Sequence, residues 1–343
     1  MTTAVKNLLW IAALFTFLAA GVASLFMPAS LTPGDPAIRI TLSPGMTTRQ
    51  IGATLRRSGL IRSSDAFMLV AHLSGRASQL RAGTYAISAS EGIGRIVDRL
   101  ADGDVLRVAV TIPEGFNARE IAARVAPVLG CPVEEFMAIV SDSVMAESLG
   151  VGEGTLEGYL FPDTYNVIPG TDPAGFIARL VERTTTLFEE RYRARADSLG
   201  LARHQALTLA SLVEAEAAVD EERPRISAVF WNRLREGMML QSDPTVAYAL
   251  GRRPDRIYYK DLEVQSPYNT YLVTGLPPGP ICSPGEASIR AALHPVPGSK
   301  ELYFVATGDG HHLFSTTNDE HNAARRRVSP DRRGSQPDPG GPK

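Results

Sequence analysis

LTLASLVEAEAAVDEERPRISAVFWNRLREGMMLQSDPT, residues Leu207–Thr245, places a carboxylate, Glu214, on an otherwise apolar helix and closes on a polar turn. From Gln205 to Val219 there is no Gly or Pro, and Ala and Leu dominate, so helix is the favoured local state. Leu207, Ala210, Glu214, Ala217 and Ala218 fall at offsets that share one helical face, which predicts that Glu214 meets the core or a cleft. Glu216, two positions on, lies about 200° round the helix and is expected to point away, leaving Glu214 as the one buried acid. A carboxyl taken out of water gains proton affinity, and a Glu protonated near neutral pH can donate to a leaving oxygen. The pattern also fits an edge Glu paired to an Arg on an amphipathic helix. Pro224 opens the next helix in the N1 role, with Ile226, Val229, Phe230 and Leu234 as the stripe that packs against the first.

Outward from this stretch, the chain runs to 343 residues with 44% hydrophobic and 21% charged residues, enough for two or three folded domains. The net charge of −2 conceals five Arg and one Lys against two Asp beyond Asn322. The remainder is acidic, which argues against a basic groove for nucleic acid. Residues 323–343 are rich in Arg, Pro and Gly without apolar periodicity and read as a disordered tail.

Leu8–Met27, LLWIAALFTFLAAGVASLFM, carries no charge and follows Lys6. About 20 apolar residues span a hydrocarbon core, so residues 8–27 are expected to form a transmembrane helix. Residues 1–7 then stay cytoplasmic and everything after Met27 crosses the membrane. A cleaved signal peptide is the rival, although its apolar region is usually shorter. Residues 28–36, with their prolines and glycine, read as a linker. Cys131 and Cys282 are far apart, without a C-x-x-C, and read as buried free thiols.

Sliding the chain by 70 residues aligns ITLSPGMTTRQIGATL from Ile40 with VTIPEGFNAREIAARV from Val110; Thr41, Gly45, Arg49 and Ile51 recur as Thr111, Gly115, Arg119 and Ile121. Each copy predicts a strand, a turn at Gly, a Thr or Asn N-cap and a helix. The pattern resembles the LysM-type module that binds N-acetylglucosamine polymers, with a small α+β scaffold lacking sugar affinity as the alternative. LRAGTYAIS from Leu80 alternates like a strand, Val133–Leu149 and Phe176–Leu199 read as helices, and ELYFVAT reads as a late strand. The expected organisation is a LysM-like α+β region over 37–150 and a catalytic α+β domain over 151–322.

Further motifs, in order, are EGYLFPDTY, ASLVEAEA, AVFWNRLREGMMLQSDPTVAYALG, YNTYLVTGLPPGPICSPG, ALHP and LYFVATGDGHHLFSTTNDEHN. Their order and spacing resemble the endolytic murein transglycosylase family, also known as the YceG-like or MltG family, over about Ile40 to Asn322. The resemblance implies cleavage of the β-1,4 bond between N-acetylmuramic acid and N-acetylglucosamine within nascent peptidoglycan strands, leaving 1,6-anhydro ends and ending elongation. It implies a single-pass inner-membrane protein with a periplasmic catalytic domain, peptidoglycan synthases as partners, and no cofactor. The family's catalytic Glu falls on Glu214; where the family often has E-K-E-T, this chain has Glu214, Ala215, Glu216 and Ala217.

One carboxyl suffices for such a reaction, because the sugar's own 6-hydroxyl replaces the water that a second carboxylate activates in ordinary glycosidases. Glu157, Tyr159, Asp163, Gln241, Asp243, Asn269, Thr270 and Tyr271 supply the amides, carboxylates and aromatic faces expected to hold sugar, although each also suits a turn or cap. Glu157 is the foremost second acid. His72, His204, His294, His311, His312 and His321 show no zinc spacing, so no metal site is expected; His312 and His321 either orient substrate or pack. Two other functions stay open: a hydrolytic muramidase using Glu214 with Glu157 or Asp243, and a glycan-binding scaffold without catalysis.

Overall fold

Eight consecutive residues, Ala206–Val213, are buried in the helix that carries Glu214. A helix apolar all round is a central helix, and the expected single buried face is corrected accordingly. The computed structural model describes residues 3–32, 34–152, 154–254 and 256–328. The chain divides into two compact units, residues 1–108 with 166–169, and residues 109–165 with 170–343. The division falls at 108/109, whereas composition placed a boundary at 150/151.

The first unit contains α1 (Thr3–Ser24), β1 (Ile38–Leu42), α2 (Thr48–Arg57), α3 (Ser64–Leu73), β2 (Gly83–Ile87) and α4 (Ile93–Asp102). β1 and β2 pair antiparallel, from Ile38 opposite Ile87 to Leu42 opposite Gly83. Leu42, Leu55, Phe67, Tyr85, Ile96 and Val97 close the core beneath them. α1 ends at Ser24, short of the expected Met27, and exposes Trp10, Phe15 and Phe17. Among the described residues no helix is long and apolar enough to cross a membrane.

Next come β3 (Val108–Thr111), α5 (Ala118–Leu129), α6 (Val133–Val140), α7 (Ser143–Ser148), β4 (Thr164–Val167), α8 (Pro173–Arg191), α9 (Arg193–Ser198) and α10 (Arg203–Glu216). They are followed by α11 (Arg223–Arg235), α12 (Asp243–Ala249), α13 (Glu286–Leu293), β5 (Tyr303–Ala306), β6 (His312–Ser315) and α14 (Asn318–Val328). The long helices read from sequence are each broken: Asp142 caps a new start at α7, and α8 yields to α9 at Tyr192. α14 carries helix through to Val328, so the expected tail does not begin at 323; residues 329–343 lie outside the described ones. α10 packs against α11 and α13, and β5 pairs antiparallel with β6.

Both copies of the repeat fold as strand, helices and returning strand. Thr47 and Asn117 cap α2 and α5, each in a capping box closed by Gln50 or Glu120. The likeness extends past the aligned residues. Thr41 and Thr84 meet through their hydroxyls at 3.0 Å, and Thr111 and Thr164 at 2.9 Å. Tyr85 donates to the Arg81 carbonyl and Tyr165 to the Phe161 carbonyl, both at 2.8 Å. RAGTY and FPDTY are therefore equivalent return strands, a match too short to register in sequence.

Candidate active site

α10 stops at Glu216 because Ala217 turns extended, with φ −79° and ψ 119°. The end of a buried helix thus opens into a cavity of about 1890 Å³, to which Glu214 and Glu216 both contribute. Pockets for small ligands hold roughly 300–1000 Å³, so this volume suits a polymer segment.

Glu214 is gripped on both oxygens. Its Oε2 accepts the Gly285 N–H at 3.0 Å, and its Oε1 lies 3.3 Å from Arg223 Nη1. Arg223 is buried near the start of α11; it also donates to Ser288 on α13 at 2.8 Å and to Asp220 at 3.1 Å. The arginine partner that the pattern allowed does exist, but only 9% and 7% of the two side chains are exposed, and of the two Glu214 lines the cavity. Against Glu214 stands the turn of the second repeat copy. Gly115, at φ +74°, leaves 3.6 Å between a built Cβ and Glu214 Cγ. Its N–H donates to the Ser283 carbonyl at 2.9 Å, and the Ser283 N–H to the Phe116 carbonyl at 2.8 Å. Glu114, one residue earlier, lines the cavity and lies so close over Gly285 that a side chain there would overlap its carboxyl. Burial and then the charge of Glu214 push the Glu114 carboxyl up, with Arg223 opposing.

Two more acids border the cavity. Glu157, buried, accepts the Ala118 N–H at 3.0 and 3.1 Å and the Gly158 N–H at 3.3 Å, so it closes the start of α5. Burial pushes its carboxyl up to about 7 against the pull of those donors. Glu216 accepts from Ser242 Oγ at 2.6 Å, and burial pushes it up to about 7 as well. The expectation that Glu216 points away from the site is corrected: at the open last turn of α10, Glu214 and Glu216 both border the same cavity. Arg252, Arg253 and Arg256, with exposed Tyr258 and Tyr259, give the cavity lining a cationic, aromatic part. Arg253 donates to the Gly115 carbonyl and pairs with Glu120 at 2.9 Å. Among the described residues no group of three or more His, Cys, Asp and Glu side chains is arranged to hold a metal ion.

The YceG-like family model matches residues 40–327. The chain belongs to the YceG-like family. It is 35% identical over 306 residues to the endolytic murein transglycosylase of Bacillus subtilis (strain 168), covering 84% of each chain. The same-named protein of Streptococcus pneumoniae serotype 2 (strain D39 / NCTC 7466) is 30% identical over 320 residues, and this chain spans 57% of its length. A crystal structure of a YceG-like protein from Listeria monocytogenes superposes with a TM-score of 0.60 at 33% identity, over 84% of this chain and 99% of that one.

Of the residues expected to hold sugar, Glu157, Gln241, Asp243 and Tyr271 line the same cavity as Glu214. Tyr271 donates to Asp243 Oδ1 at 2.6 Å, and Gln241 adopts φ 48°, its N–H bonded to the Thr270 carbonyl at 3.0 Å. Four expected sugar ligands are placed elsewhere. Tyr159 is fully buried and meets His204 Nδ1 at 3.1 Å. Asp163 is exposed at the start of β4, away from the cavity lining. Asn269, buried, donates to the carbonyls of Leu262 and Val264 at 2.8 and 2.9 Å. Thr270, also buried, accepts the Ser242 N–H at 3.0 Å and meets Thr245 Oγ1 at 2.9 Å. Thr270 thereby holds the QSDPT turn in place, and Asn269 the loop before it. His312 and His321 both line the cavity; His312 Nδ1 lies 2.7 Å from Glu222, and His321 stacks on Tyr303 at 5.1 Å.

Sequence reasoning missed Glu114, Arg223 and Gly285. One signal for Glu114 was available: the repeat has Pro44 in its first copy where the second has Glu114, an acid where the turn needs none.

Proposed function

We propose that this chain is an endolytic murein transglycosylase that cuts the β-1,4 bond between N-acetylmuramic acid and N-acetylglucosamine and leaves 1,6-anhydro ends. The observation that carries the proposal is the position of Glu214: its carboxyl enters a polymer-sized cavity from the end of a buried helix, oriented by Arg223 and the Gly285 N–H. Curated relatives carrying that enzyme name share 30–35% of its residues.

In the proposed reaction Glu214 gives its proton to the leaving 4-oxygen as the C1–O bond breaks. The 6-hydroxyl closes on C1, and Glu214 takes the hydroxyl proton, so the enzyme's proton count is restored. The intramolecular nucleophile is held near C1 by the ring's own geometry, which is worth several orders of magnitude in rate. Gln241, Asp243, Tyr271, Tyr258 and Tyr259, all in the cavity lining, offer hydrogen bonds and apolar faces to sugar rings.

The several carboxyls of the cavity, Asp243 and Glu157 among them, favour a second reading, hydrolysis by a muramidase, because a second carboxylate can activate water. Mass spectrometry of glycan fragments decides: hydrolysis adds a water and transglycosylation does not.

The uncharged run Leu8–Met27 and the exposed aromatics of α1 support anchoring in the inner membrane, with residues after Met27 in the periplasm. The first repeat copy is proposed to contribute glycan binding, and synthases that extend the same strands are proposed as partners. Recovery of the full chain in the carbonate-washed membrane fraction, and its loss from that fraction when residues 1–27 are removed, tests the anchor.

A further inference from the structure

An arginine and an amide N–H are partners for a charged carboxylate. Glu214 has both, yet a general acid must bring a proton to the leaving oxygen. The neighbouring turn supplies a second carboxyl. Glu114 rests over the Cα of Gly285, the same residue whose N–H is bonded to Glu214. Gly285 has φ −72° and ψ 166°, ordinary extended backbone open to any residue, so the room taken by Glu114 is what keeps this position a glycine. The turn is fixed at both ends, by the Gly115 and Ser283 backbone bonds and by the Asn117 capping box. Nothing in the turn or in α5 uses the Glu114 side chain; the first copy of the repeat forms the same turn with Pro44 at this place.

We infer that Glu114 is a positioning residue for the reaction: its carboxyl and that of Glu214 form one proton-sharing pair across Gly285, which keeps in the site the proton that Glu214 delivers. The inference rests on the proposed role of Glu214 and deepens it. A negative charge beside a carboxyl favours that carboxyl's protonated form. The groups that face Glu114 agree with this: Glu214 from α10 and Asp220 from the turn before α11 favour its protonated form, and Arg223 from α11 opposes them. During the reaction the proton passed to the leaving oxygen comes from the pair, and the proton released by the 6-hydroxyl returns to it. No other donor is needed.

The test is the pH–rate profile for anhydro-ended product from purified murein with the wild type, Glu114→Gln and Glu114→Asp. Loss of a positioned acid–base function typically costs about 100-fold or more. Glu114→Gln is expected to lose about 100-fold in kcat with little change in KM, and to shift the alkaline limb of the profile to lower pH. Glu114→Asp should recover part of the rate and the wild-type limb. Gly285→Ala, whose added methyl displaces the Glu114 carboxyl while both acids stay in the sequence, is expected to move the limb in the same direction. A Glu114→Gln enzyme with wild-type rate and profile overturns the inference, and so does a slowed enzyme whose profile is unmoved. Failure of the underlying proposal is seen separately, as an active Glu214→Gln variant.

Discussion

Glu214 and Gly285 are joined by a single hydrogen bond, 3.0 Å from the backbone nitrogen to Oε2, and through it the end of α10 is tied to the loop that leads into α13. The same loop accepts and donates backbone hydrogen bonds with the turn of the second repeat copy. The turn of the second copy is thereby joined to the loop that holds the Glu214 carboxyl.

Gly158 holds this arrangement from below. It has φ +77°, and a Cβ there would run into the Pro280 ring and approach the Cys282 carbonyl at 3.2 Å. Gly158→Ala combines an unfavourable left-handed conformation with a clash against a rigid ring, and is expected to cost about 2–3 kcal/mol. Thermal unfolding of the variant measures this; an unchanged Tm would show that the loop yields freely.

The motifs EGYLFPDTY and YNTY make Tyr159 and Tyr271 alike as expected sugar ligands, and the fold separates them. Tyr159→Phe removes the hydroxyl contact with His204 in the core and should cost about 1 kcal/mol of stability with KM unchanged. Tyr271→Phe releases Asp243 on the cavity wall and should alter KM or kcat several-fold with a smaller effect on Tm. The opposite assignment of effects would return Tyr159 to the site.

Glu157 and Glu216 give the fold a pH dependence. Both are pushed up to about 7 by burial, whereas an unfolded Glu titrates near 4.3. The folded chain therefore holds protons that the unfolded chain releases between these values, and stability falls as pH rises through that window. Tm should be lower at pH 8 than at pH 5. Glu216→Gln keeps an acceptor for Ser242 and removes one buried charge, so it should raise Tm at pH 8 by about 2–4 °C and shrink the difference. An equal pH difference in the variant would show that Glu216 is not a source of it.

Much of the frame was legible from residue pattern. The repeat, its N-caps and the α10 and α11 pair follow from local capping and periodicity, which act within a few residues. Pro224 falls one place later than read, since Arg223 already begins α11. The burial of α10 on every side was not legible, because Glu, Ser and Thr mark an apparent polar face that other helices happen to cover. Thr208 and Ser211 satisfy their hydroxyls within the helix, donating to the carbonyls of His204 and Thr208 at 2.7 Å, so they are buried at little cost. Asn269 and Thr270 show the converse: polar residues in a loop motif whose side chains bind nearby backbone, the Leu262 carbonyl and the Ser242 N–H. Glu114 is brought beside Glu214 across a hundred residues of sequence, a distance that no local pattern reports.

The most direct measurement is product analysis of purified murein digested by the wild type and by Glu214→Gln side by side, with mass spectrometry of the fragments. The wild type is expected to release fragments with 1,6-anhydro ends, lacking the water that hydrolysis adds, and Glu214→Gln to release none while keeping the wild-type Tm. Anhydro-ended product at the wild-type rate from Glu214→Gln would contradict the assignment of Glu214.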